Sequence, residues 1–154
     1  MTRAWALLHL FFALGFVGTL MVSDWNSRAA RATEDWGRRA LLFDIIGRAS
    51  RVAGLGSLLL LGVFGNLLSV RLDYRMGTDA WMRWTNGLWL AALLTLVVVC
   101  LPTLRRIEAL CRAGSNGGST AEYPAILGRW RAGNALLSVL YLALLVLMVF
   151  RWRG

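Results

Sequence analysis

The sequence predicts an all-α fold: a four-helix transmembrane bundle forming a single integral membrane domain over residues 1–154. Three observations lead there. Hydrophobic residues make up 58% of the chain and charged residues only 16%, where a soluble domain carries about 25% charged residues. Four uncharged stretches each approach the roughly 20 residues that cross a bilayer as a helix. All 17 basic residues are arginine, and none lies inside those stretches.

With a mean hydropathy of +0.58, the composition excludes ordinary globular enzymes, disordered tails and disulfide-rich secreted modules. The net charge of +9 first suggests nucleic acid. A nucleic-acid binder needs a basic stripe on a solvated face, whereas these arginines flank apolar runs and stand beside tryptophans. That is the pattern of anchors at a lipid interface, so no nucleic-acid partner is expected.

The spans cover about 4–22, 52–70, 87–104 and 132–150, and none contains Asp, Glu, Lys or Arg. A spanning segment must satisfy its backbone hydrogen bonds internally, which favours helices. The alternating polarity of barrel strands is absent. The first span follows Arg3 as a signal peptide would, but it exceeds the usual core of about 7–15 residues and reads as a permanent helix.

Orientation follows from arginines in short loops. Between spans one and two lie Arg28, Arg31, Arg38, Arg39, Arg48 and Arg51, and between spans three and four lie Arg105, Arg106, Arg112, Arg129 and Arg131. The other side holds Arg3, Arg71, Arg75, Arg83, Arg151 and Arg153. Eleven against six places both termini outside and both long loops in the cytoplasm, in a bacterial inner membrane. Arg38, Arg39, Arg48, Arg51, Arg105 and Arg106 are the expected contacts to anionic lipid headgroups.

Within the first long loop, Glu34–Arg38, Asp35–Arg39 and Asp44–Arg48 are acid-then-base pairs at i,i+4, which support a helix. It either prolongs the second span or lies in the interface. The second long loop contains the flexible run 114–120 before Tyr123-Pro124. Gly47-Arg48 and Gly128-Arg129 precede similar apolar runs 81 residues apart, compatible with two helix-pair repeats or with chance similarity of leucine-rich helices.

Candidates for chemistry are few. His9 is the sole histidine, and an ionisable group inside a span is a functional hypothesis by default. At about 100° per residue, Trp5, Phe12, Ala13 and Phe16 share its face. His9, Trp5, Phe12 and Phe16 therefore form a candidate cofactor edge with His9 as metal ligand; the alternative is a packed histidine bonded to a neighbouring helix. Gly15 and Gly18 lie opposite His9, which lets the first helix pack on one side and present aromatics on the other. Gly54, Ser57, Gly62, Gly65 and Ser69 form a small-residue face on the second span, suited to close helix packing. Asn66 and Asn134 suit interhelical hydrogen bonds. Cys100 and Cys111 are about 16 Å apart on a helix, too far for a disulfide. No HExxH, P-loop or GxSxG motif occurs, paired carboxylates within a span are lacking, and no catalytic residue is assigned.

The segments "LLHLFFALGFVGTL", "LPTLRRIEAL" and "GRWRAGNALLSVLYLALLVLMVFRW" resemble small CopD-like integral membrane proteins, a group of four- or five-helix bundles with copper-resistance D domains and HemJ-type protoporphyrinogen oxidases. The resemblance implies a haem b site at His9, where HemJ-type members place a first-helix histidine. Those enzymes pair it with a lysine, which this chain lacks, and their first-helix glycine turn is reduced to Gly15 and Gly18.

Two functions are expected from these residues. The first is a non-catalytic accessory or assembly subunit of a larger respiratory or photosynthetic membrane complex, with other membrane subunits and lipids as partners. The second is a CopD-like haem- or copper-binding redox protein using His9. A lipid- or pigment-binding module is a third reading.

Overall fold

The computed structural model describes residues 2–74 and 79–150; Arg75, Met76, Arg151 and Arg153 lie outside them. The described chain is helical almost throughout. Helix α1 spans Thr2–Ala32 and α2 spans Trp36–Arg48. A π-helical stretch at Ala49–Gly54 joins α2 to α3, Leu55–Arg71. Helix α4, Ala80–Leu94, runs through a second π-helical stretch, Thr95–Cys100, into α5, Leu101–Ser115. Helix α6 spans Tyr123–Phe150. Four continuous helices result, each long and apolar enough to cross a membrane. Up-and-down order puts the described ends of α1 and α6 on one side and the arginine-rich connections on the other.

The second and third helices, each 36 residues, reach about 54 Å. A hydrocarbon core is only about 30 Å thick, so both project well beyond it at the arginine-rich end. The first connection is thus a prolongation of the second helix, one of the two forms expected. Asp35 caps α2, its Oδ1 accepting from the Gly37 amide at 2.8 Å. Because α2 begins at Trp36, Glu34 and Asp35 stand outside it. Of the three expected i,i+4 pairs in this segment, only Asp44–Arg48 is an ion pair, at 2.6 Å.

The second π-helical stretch has a local cause. Pro102 supplies no amide hydrogen and crowds the preceding turn, and a wider turn relieves that crowding. The Thr103 hydroxyl donates to the carbonyls of Val99 and Cys100, at 2.6 and 3.0 Å. The π-helical stretches fall in the second and third helices, so they do not follow the 81-residue offset.

Two cores are stacked along the bundle. In the membrane-spanning half, Phe16, Leu58, Leu61, Ala92, Leu96, Leu137 and Leu144 interlock. Phe16 meets Tyr141 at 4.9 Å between ring centroids, and the Tyr141 hydroxyl donates to the Ala13 carbonyl at 2.7 Å. At the arginine-rich end, Phe43, Ile46, Leu104, Ile107, Tyr123 and Trp130 form a second core. Helix α5 serves it with an i, i+3, i+7 stripe of Leu104, Ile107 and Cys111, while Arg105, Arg106 and Arg112 face outward. Cys100 and Cys111 are both buried and free.

Candidate functional site: a cavity edged by His9, Asn66 and Asn86

A cavity of about 320 Å³ lies between α1, α3, α4 and α6, toward the end where α1 begins and α6 ends. Its apolar walls include six leucines, Met82, Met148, Trp81 and Trp89, and its polar edge carries His9, Asn66, Ser69, Thr85 and Asn86. Two glycines of α3 make room for the side chains that frame it. At Gly62 an added Cβ would collide with the Trp89 indole. At Gly65 it would come within 2.9 Å of His9 Cε1. Both rings then bond to α3 carbonyls: Trp89 Nε1–H donates to Leu58 at 2.8 Å, and His9 Nδ1 lies 3.1 Å from the Leu61 oxygen. Because a carbonyl only accepts, Nδ1 carries the hydrogen, and Nε2 of the neutral ring keeps its lone pair.

The remaining donors are largely spent inside the protein. Asn66 Nδ2 donates to the Gly62 carbonyl at 2.9 Å and to Asn86 Oδ1 at 3.0 Å. Asn86 Nδ2 donates to Met82, the Thr85 hydroxyl to Trp81 and the Ser69 hydroxyl to Asn66, all backbone carbonyls. What stays open is chiefly acceptor capacity: His9 Nε2, Asn66 Oδ1 and the two hydroxyl oxygens. One hydrogen of the Asn86 amide also remains.

The sequence-predicted cofactor edge is divided by the fold. Only His9 lines the cavity. Trp5 and Phe12 pack on Phe64 of α3, at 5.5 and 5.4 Å between centroids, and Phe16 is wholly buried against Tyr141. His9, Phe12, Gly15 and Thr19 all face α3, because Gly15 stands against Ser57 and Thr19 against Gly54. The expected separation of a packing side from an aromatic side on α1 is therefore corrected. The small-residue face of the second span, Gly54 in the π-helical stretch and the rest in α3, has several uses. Gly54 and Ser57 receive α1, Gly62 and Gly65 seat Trp89 and His9, and Ser69 lines the cavity.

Asn86 was not singled out by sequence reasoning. It precedes the third uncharged stretch by one residue, and a polar amide at that edge was its only signal. Asn66 does make the interhelical bond its position suggested.

For metal or haem the donor set is thin. Among the described residues no group of three or more His, Cys, Asp or Glu side chains could hold a metal ion. The cavity lining includes no arginine to meet the two carboxylates of haem b, and its volume is at the small end for ligand pockets. The residues present do not fit that group.

The six arginines expected at lipid headgroups also divide. Arg39 donates from Nε to the carbonyls of Ala30 and Thr33 at 3.2 and 2.8 Å and stacks over Trp36. Arg51 pairs with buried Glu108 at 3.3 Å, and Arg48 with Asp44. Arg106 meets Glu122 at 2.7 Å. Arg38 and Arg105 are exposed, with no ion pair among the described residues.

Compared with protein-family models, curated proteins and solved structures, the chain matches none.

Proposed function

We propose that this chain is a non-catalytic subunit of a larger assembly in a bacterial inner membrane, and that its cavity holds a small, largely apolar molecule bearing a hydroxyl group. The arginine-rich end faces the cytoplasm and the termini face outward, by the positive-inside rule. The observation that carries the binding reading is the polar edge of the cavity, where His9 Nε2 and Asn66 Oδ1 remain as acceptors after the internal donors are spent. An unpartnered, half-buried acceptor on the edge of an apolar cavity favours a ligand that supplies the missing hydrogen. Hydroquinones and isoprenoid alcohols have that chemistry.

The test is titration of the purified protein with tetramethylhydroquinone and with its dimethyl ether. The hydroquinone should bind about tenfold more tightly, the worth of one hydrogen bond, and His9→Phe should abolish the preference. Equal affinities would overturn the binding reading. Purification in mild detergent followed by mass spectrometry tests the subunit reading, and a single species without partners counts against it.

The orientation of His9 favours a second reading, the copper-binding form of the CopD-like redox protein, with the remaining metal ligands supplied from outside the described residues. A backbone carbonyl on Nδ1 is the arrangement that directs Nε2 at a metal. A metal bound by the wild type and lost from His9→Ala supports it.

A further inference from the structure

A second opening lies on the lateral surface, between α1 and α6 at the arginine-rich end, with a volume of about 730 Å³. One wall runs from Leu20 to Arg31 and the other from Ser138 back to Gly128, each about 15–17 Å long at the helical rise. The cleft is graded. Leu20, Ala135 and Ser138 lie at the end inside the apolar spans, while Arg28, Arg31 and Arg131 lie beyond them. It therefore crosses the boundary between hydrocarbon and headgroups.

Its charge is not internally balanced. Asp24 also lines the cleft and pairs with Arg28 at 2.7 Å. Arg31 spends Nε on its own helix, at the Ser27 carbonyl 3.3 Å away, leaving its two Nη groups. Neither Arg31 nor Arg131 has an ion pair among the described residues. This differs from Arg39, Arg51 and Arg106, whose charges or donors are taken up by the protein itself.

We propose that this cleft is a binding site for one anionic phospholipid, with its phosphate between Arg31 and Arg131 and an acyl chain laid past Leu20 and Ala135. Guanidinium groups on two helices match the phosphate oxygens by charge and by fork geometry. The apolar end accommodates a chain that continues into the bilayer. Such a lipid would act as a wedge between two helices that Tyr141 and Phe16 join deeper in the membrane.

The experiment is native mass spectrometry of the protein with phosphatidylglycerol, with phosphatidylcholine of the same chains, and with glycerophosphoglycerol, the headgroup alone. One phosphatidylglycerol should remain bound under conditions that strip phosphatidylcholine, and the headgroup alone should not bind. Arg31→Gln with Arg131→Gln should weaken retention by about fivefold for each arginine. Arg3→Gln with Arg71→Gln, equal in charge but at the opposite end of the bundle from the cleft, should leave it unchanged. Ala135→Trp fills the cleft without altering charge and should also displace the lipid, which keeps the test available if the arginine variant misfolds. Equal retention of both lipids, equal loss in both arginine variants, or binding of the headgroup alone as tight as the whole lipid would overturn the proposal.

Discussion

Trp89 and Leu58 are joined across the α3–α4 interface. The indole Nε1–H of Trp89 donates to the Leu58 carbonyl at 2.8 Å, with the ring lying in the space that Gly62 leaves on α3. Both the bond and the socket need a residue without a Cβ at position 62. Gly62→Ala should therefore destabilise the protein by about 1–3 kcal/mol, the cost of overpacking a closed site. Gly18 supplies the comparison, since an added Cβ meets nothing within 4 Å there. Gly18→Ala should stabilise by about 0.5–1 kcal/mol through lower backbone entropy of the unfolded chain. Thermal midpoints in detergent should move in opposite directions.

Two buried tyrosines should respond differently to loss of the hydroxyl. Tyr141 donates to Ala13 at 2.7 Å, so Tyr141→Phe leaves that carbonyl one hydrogen bond short and should cost about 0.6–1.5 kcal/mol. The Tyr123 hydroxyl is buried with no hydrogen-bond partner. Tyr123→Phe removes an unsatisfied group and should be neutral or stabilising by up to about 1 kcal/mol. Unfolding measured on both variants under one set of conditions checks the contrast, and equal losses would contradict it.

Arg51 and Glu108 connect the second and third helices beyond the membrane core. Their side chains meet at 3.3 Å with Glu108 only 10% exposed, and Glu108 Oε1 lies against the backbone at Gly47. Arg51→Met alone leaves a buried carboxylate uncompensated and should cost about 1–3 kcal/mol, reduced because Arg51 is partly solvated. Adding Glu108→Leu should recover most of that loss. A double-mutant cycle reads the coupling directly.

The four spans were legible in the sequence because hydropathy and the exclusion of charge are properties of one contiguous stretch. The start of α2 was less so. Glu34 and Asp35 fit ion pairs four residues ahead, but Asp35 is used as a cap, and capping is decided by where the chain turns. The arginines were legible as a group and not as individuals. Arg39 and Arg106 have the same sequence signature, yet one holds backbone carbonyls beneath an aromatic stack and the other a carboxylate on the next helix. The cavity was hardest to read, since His9, Asn66, Asn86 and Met148 come from four helices and converge only through packing. Asn66 and His9 were visible as polar residues within apolar runs. That they share an edge depends on Gly62 and Gly65 setting how near their neighbours come.

No loop separates the second core from the cavity. The helix that carries Phe43 and Ile46 is continuous with the one that carries Asn66, and the helix that carries Asn86 is continuous with the one that carries Ile107. Two rods of unbroken backbone therefore join the arginine-rich end to the paired asparagines. A twist applied to the protruding ends would travel along the rods to the Asn66–Asn86 bond, passing through a π-helical stretch in each.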